Sequence, residues 1–235
     1  MKTTSKIVAL VALLFSLHLN GNATVITSVP HTIKKPGHYE LNSDLTYTGS
    51  GVAITIEASN VTLDLNGYAL QTNSPFGGST GPTAIVIASP GTGAHFINDT
   101  IKNGTILAFS TAITIHGGAF TAQDLTLVEN YNGFSLQADA EIGLIQNCFI
   151  IGLDGGDGTG VSMLEGVTGV QIKNNQISIF ETAIQSQGGG NAHVHNCITN
   201  CTNGLILNGD SYQDTVVTGT THPYSGGTKV GDNNG

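Results

Sequence analysis

The sequence predicts an all-β chain, a single-stranded right-handed parallel β-helix: a solenoid of about seven rungs with an N-terminal cap. Three observations carry that expectation. A four-residue phrase recurs along the chain, a second phrase ending in Asn or Asp falls between its copies, and they repeat at intervals of 21 to 31 residues. A period of that length with occasional extra residues is the mark of a solenoid with inserted loops.

The first phrase is a small residue, an apolar residue, any residue, then usually an apolar one. It reads Ala53-Ile54-Thr55-Ile56, Ala84-Ile85-Val86-Ile87, Ala112-Ile113-Thr114-Ile115 and Gly133-Phe134-Ser135-Leu136. It continues as Gly160-Val161-Ser162-Met163, Ala183-Ile184-Gln185-Ser186 and Gly204-Leu205-Ile206-Leu207. Such alternation is a strand signal. Each strand must return to the same place for the next copy, so like strands lie parallel, about 4.8 Å apart. The second phrase gives an inward apolar residue, an outward polar one, then Asn or Asp. Its corner residues are Asn103, Asp124, Asn147, Asn174 and Asn196. Asn tolerates the left-handed conformation of a tight corner. The five are expected to stack as a buried ladder that satisfies corner backbone groups. Five Asn-x-Thr sequons, at Asn22, Asn60, Asn98, Asn103 and Asn200, read as by-products of this composition.

The elements follow in order. Residues 1–23 read as an export signal: two lysines, the apolar run Ile7–Leu19, then small residues ending at Ala23. The apolar run is too short to span a bilayer, and no other run approaches the roughly 20 residues needed. The chain is therefore expected to be secreted, or placed in the periplasm or cell envelope. Residues 24–49 are expected to cap the first rung, 50–221 to form the β-helix, and 222–235 to be a polar, Gly-rich tail.

Charge narrows the function. The chain has seven lysines, no arginine, sixteen carboxylates and a formal net charge of −9. Loss of the signal removes Lys2 and Lys6. Such a field repels polyanions, which argues against nucleic acid and anionic membranes, and against uronic-acid polymers unless a divalent cation bridges the charges. Glycine is abundant, at 32 residues, but without Gly-X-Y spacing, which excludes collagen. Three cysteines leave at least one thiol free. Cys148 and Cys197 fall two rungs apart, roughly 9.6 Å, too far for a bridge.

With these phrases, Asn60-Val61-Thr62-Leu63-Asp64-Leu65-Asn66-Gly67 and the leading segment Ile33–Leu45 make the chain resemble the pectate-lyase-like superfamily of right-handed parallel β-helices. The resemblance covers about residues 25–221 and bears on fold more than function. One departure is that Asp64-Leu65-Asn66 is offset by one residue from the later phrase. The superfamily's pectate lyases use an arginine base, which this chain lacks. The Gly-His-Gly of its polygalacturonases is absent, His116-Gly117-Gly118 being nearest. Of the lysine–arginine pair of its alginate lyases, only lysine is available.

The resemblance places a substrate groove on the first-strand face. There one outward column includes Thr114, Ser135, Ser162 and Gln185, and the column two residues on includes His116 and Gln137. Two insertions, Asn73–Pro82 and Gly152–Thr159, should leave one corner about three rungs apart and bracket this face. The second holds Asp154 and Asp157 among glycines, a loop that would offer calcium part of its oxygen shell. His193 and His195, flanking Val194, are expected to point outward together as a weak metal pair. The first function is a non-catalytic module that binds a glycan or a cell surface, or serves a structural role. The alternative is a polysaccharide lyase or glycoside hydrolase with His116 as base.

Overall fold

A computed structural model describes residues 23–73, 78–89 and 95–231. The segment read as an export signal, up to Asn22, part of the first insertion, residues 90–94 and the last four residues lie outside them. The described residues form a parallel β-solenoid of about eight turns, nearly without helix. All strand pairings are parallel, and each joins a strand to its counterpart one turn away.

Each turn has three strands, so the coil carries three sheets. First strands open the turns at His31–Ile33, Val52–Ile56, Thr83–Ile87, Thr111–Ile115, Asn132–Leu136, Thr159–Met163, Thr182–Ser186 and the start of Asn203–Gln213. These open turns one to eight. The second sheet includes Val61–Asp64, Ala140–Gln146 and Ala192–Val194, and the third includes Phe149–Ile151, Gln176–Ser178 and Cys197–Thr199. In turns three and four one long strand, Asp99–Leu107 or Gly118–Val128, runs through both sheets.

The repeated phrase stacks in register. Ile54, Ile85, Ile113, Phe134, Val161, Ile184 and Leu205 lie one above another, all buried. Full burial of such a side chain contributes roughly 1.5–3 kcal/mol, and stacking rung on rung makes it possible. The small residue before each is buried too. At Gly133 a Cβ would lie 2.4 Å from the Gly160 carbonyl oxygen, so that strand approaches its neighbour too closely for a larger residue.

The coil is longer at both ends than the phrases suggest. Residues 24–49 contain Thr24–Ile26, His31–Ile33, Gly37–Leu41 and Leu45–Tyr47, which pair with the strands that follow. This segment covers the second turn by being a turn itself. The segment expected to be a tail holds the strand His222–Lys229, paired with Asn203–Gln213 although exposed throughout. Its side chains are polar because they cover the last turn without being covered.

Corner geometry revises the expected ladder. Asn103, Asp124, Asn147 and Asn174 do hold positive φ, between 55° and 57°. They lie at the surface of the corner. Asn147 donates to Asp124 at 3.2 Å in an exposed bond, and Asn103 donates to Asp64 at 3.3 Å. Asn196 is not their fifth member: Ile172 pairs with His193 and Lys173 with Val194, so His195 takes the left-handed corner, φ 53°. Asn196 stands one place later, buried beside Asn175. The offset noted at Asp64-Leu65-Asn66 is a longer corner: Asn66 is left-handed, φ 53°, and Leu65 is buried before it.

The buried ladders stand elsewhere. Asn175 accepts the Cys148 N–H at 2.9 Å and donates to the Ile145 carbonyl at 3.0 Å. Asn196 accepts the Asn175 N–H at 3.1 Å and donates to the Ile172 carbonyl at 2.8 Å. At the corner between first and second sheets, Asp99 accepts the Val61 N–H, Asn191 that of Val170, and Asp210 that of Asn191. Each captures a backbone donor of the preceding turn that water cannot reach.

Candidate functional site

The first sheet presents its outer face as columns. Thr55, Val86, Thr114, Ser135, Ser162, Gln185 and Ile206 pair in register, all half-buried. Along the strand starts, Thr83, Thr111, Asn132, Thr159, Thr182 and Asn203 pair likewise. Towards the strand ends, the N–H groups of His116, Gln137, Leu164 and Gln187 donate to Ile87, Ile115, Leu136 and Met163 of the preceding turn. Thr114, Ser135, Ser162 and Gln185 thus share one column, with His116 and Gln137 in the next.

Side-chain hydrogen bonds orient this face. Gln137 donates to the Ser135 hydroxyl at 2.9 Å, and Asn203 donates to the Thr182 hydroxyl at 3.3 Å. The Asn132 carbonyl oxygen of the side chain accepts the Thr159 N–H at 3.1 Å. His116 is exposed. The histidine–carboxylate pairs lie elsewhere, at His193–Asp210 and His195–Asp214.

Both insertions leave the corner between third and first sheets, before turns three and six, and turns four and five carry Thr114, His116, Ser135 and Gln137 between them. The second insertion turns on glycines: Gly155, Gly156 and Gly158 have φ of 115°, 71° and 79°. Asp154 and Asp157 are exposed on it. Asp154 lines a cleft of about 410 Å³ beside the loop, with Val128, Glu129, Ile151, Leu153 and Ile179. A second concavity lies on the loop's other side, lined by Phe180, Asn200, Thr202 and Thr221 among others. The concavities therefore sit at the corner beyond the third sheet, away from the first-sheet face. Among the described residues, no group of three or more His, Cys, Asp or Glu is placed to hold a metal.

His193 overturns the expected outward pair. It occupies the inward position of Ile172 and is 0% exposed, because the seventh turn is shifted by one residue from the apparent phrase. His195 alone is outward, held by Asp214 at 3.1 Å. Inside, His193 Nε2 meets Asp210 at 2.9 Å, and Asn191 donates to Asp210 at 3.1 Å and to the Val167 carbonyl at 3.1 Å. Burial alone would raise the Asp210 carboxyl. Hydrogen bonds from His193, Ser186 and the Asn191 backbone outweigh it and hold the group below the usual carboxylate range. This cluster is sealed in the core and offers no opening to a substrate.

Two further groups escaped the sequence reading. Asp99 is fully buried with one carboxylate oxygen unpartnered, and burial pushes its pKa up to about 6 despite the Val61 hydrogen bond. The buried Nδ1 of His95 also has no partner and lies where a Cβ on Gly117 would be, 2.4 Å away. All three cysteines are free; Cys148 and Cys201 are buried and Cys197 is exposed. Among the described residues no helix is long and apolar enough to cross a membrane.

No model of a known protein family matches the chain. No curated protein matches it in sequence. Among solved structures, the enzymatically active domain of tailspike protein 2 from bacteriophage CBA120 is similar, with a TM-score of 0.49 and 13% identity over 83% of this chain. The match covers 38% of that protein's chain.

Proposed function

We propose that the chain is an exported, non-catalytic β-solenoid that holds an extended neutral polysaccharide, or a similar hydroxyl-rich cell-surface polymer, along the outer face of its first sheet. The observation that carries this reading is the in-register column Thr114–Ser135–Ser162–Gln185, flanked by Thr111–Asn132–Thr159–Thr182. A polymer of repeating hydroxyls meets hydroxyl and amide groups repeated at the strand spacing of about 4.8 Å. Short side chains lose little rotamer freedom on binding, and the bonds at Ser135 and Asn132 already fix some of them. The net charge of −9 disfavours acidic polymers unless calcium bridges them.

The test is a panel of neutral and acidic polysaccharides, with and without calcium, scored for binding and for chain cleavage. Binding to a neutral polymer without cleavage is expected. Ser135→Arg or Ser162→Arg, which fills the ledge from outside the core, should weaken it about tenfold or more. No binding across the panel, or binding indifferent to both arginines, overturns the proposal. Cleavage that vanishes in His116→Ala would make the protein an enzyme instead.

A further inference from the structure

The outer face of the third sheet does not alternate as a solvated face should. In turns three to five the inward residues Ile106, Leu127 and Ile150 are each followed by a second apolar residue: Leu107, Val128 and Ile151. Strand geometry turns the second residue outward. Pairing sets the three directly above one another, Leu107 on Val128 and Val128 on Ile151.

This apolar column ends at the cleft beside the second insertion. Val128 and Ile151 belong to its lining as the ends of two third strands, and Leu153 joins them from the loop. Glu129 and Asp154 line the same cleft. One concavity therefore combines an apolar surface with two carboxylates. Its backbone is unusual as well. Ile179, which also lines it, has φ 61°, and Glu129 has φ 54°, at a corner where turns seven and eight use Asn200 and Gly219. A β-branched residue in that conformation costs roughly 1–2 kcal/mol. Outliers of this kind gather at binding sites.

An occupant that satisfies such a cleft has an aliphatic stem and a cationic head. Lysine and arginine side chains have this construction. We infer that the cleft docks a lysine or arginine side chain of a partner polypeptide, its stem against Val128, Ile151 and Leu153 and its charge between Glu129 and Asp154. The net negative charge of the chain draws a basic partner towards it. This surface lies beyond the third sheet, so it is independent of the polymer-binding face.

Methyl NMR on the full chain tests the inference with two probes, acetyl-Gly-Lys-Gly-amide and its norleucine counterpart, which keeps the stem and lacks the ammonium. The lysine peptide should shift the methyl signals of Val128, Ile151 and Leu153 saturably, and the norleucine peptide should bind about tenfold more weakly. The double variant Glu129→Gln, Asp154→Asn should bring the two peptides to equal affinity. Both side chains are exposed, so unshifted core isoleucine methyls would certify its fold. Added sodium chloride gives a second readout on the unaltered chain: it should weaken the lysine peptide and spare norleucine. No shift at those three residues, equal binding of the two peptides by the unaltered chain, or a double variant that still prefers lysine overturns the inference.

Discussion

Asp99 is the residue whose environment fits its chemistry least. Its raised pKa means that the folded chain holds a proton the unfolded chain has already lost between about pH 4 and pH 6. Stability from this group is therefore complete below pH 4 and falls as pH rises through about 6. The cost at neutral pH is up to about 3 kcal/mol. Asn191 performs the same task in the same corner column with a neutral amide. Asp99→Asn should keep the acceptor for Val61 and remove the cost. Urea unfolding should find the variant level with the parent near pH 4 and about 1–3 kcal/mol more stable at pH 7. A difference independent of pH would refute the assignment. The thiols separate in a similar way. Burial pushes Cys148 up to about 12 and raises Cys201, while Cys197 is exposed. A thiol reagent should modify one cysteine in the native protein and all three after denaturation. Rapid modification of Cys148 in the native state would contradict its place in the core.

At the scale of strands and corners, legibility followed the side chain's constraint. The first sheet could be read because a small residue and two inward apolar ones mark every copy of the phrase but Ala183-Ile184-Gln185-Ser186, which ends on serine, and a one-residue slip would expose them. The left-handed corners could be read for a similar reason: Asn60, Asn98, Asn103 and Asn200 all have positive φ, and each is followed two residues later by threonine, which explains the sequons. The buried ladders could not be read, since Asn175 and Asn196 look like any polar corner residue until the register is known. Val194-His195-Asn196 imitated the apolar–polar–Asn phrase, and only the pairing partner Asp210 makes an inward His193 affordable. The cleft has a trace in the sequence, the apolar doublets Ile106-Leu107, Leu127-Val128 and Ile150-Ile151, but its two carboxylates come from different turns. The corrected ladder is open to test. Asn175→Ala strands the Cys148 N–H and the Ile145 carbonyl, and should cost about 2–4 kcal/mol. Asn147→Ala loses an exposed bond and strains one corner, about 1–2 kcal/mol. Unfolding midpoints in the reverse order would restore the surface residues as the ladder.

The whole molecule is a rod whose turns each depend on their neighbours. Its ends could not be read from the phrases because the phrase decays there: His31-Thr32-Ile33 lacks the small residue, and His222–Lys229 has no buried position at all. Near the last turns the interior becomes polar at Ser186, Asn191, His193 and Asp210, and Tyr224 stacks on Tyr212 with centroids 5.2 Å apart. What the rod offers over its fourth to seventh turns is an unbroken column of polar side chains, Thr114, Ser135, Ser162 and Gln185, and the proposed function rests on a polymer lying on it. Cysteine protection tests that claim most directly. In a Cys197→Ser background, single cysteines replace Thr114, Ser135, Ser162 and Gln185 in turn, with Gln176→Cys on the third sheet as control. A polysaccharide from the binding panel is then added at ten times its Kd. The account requires thiol modification at all four first-sheet positions to slow about tenfold, in step with occupancy, while the control keeps its rate. Four unchanged rates on a bound polymer, or protection of the third-sheet control instead, would contradict it.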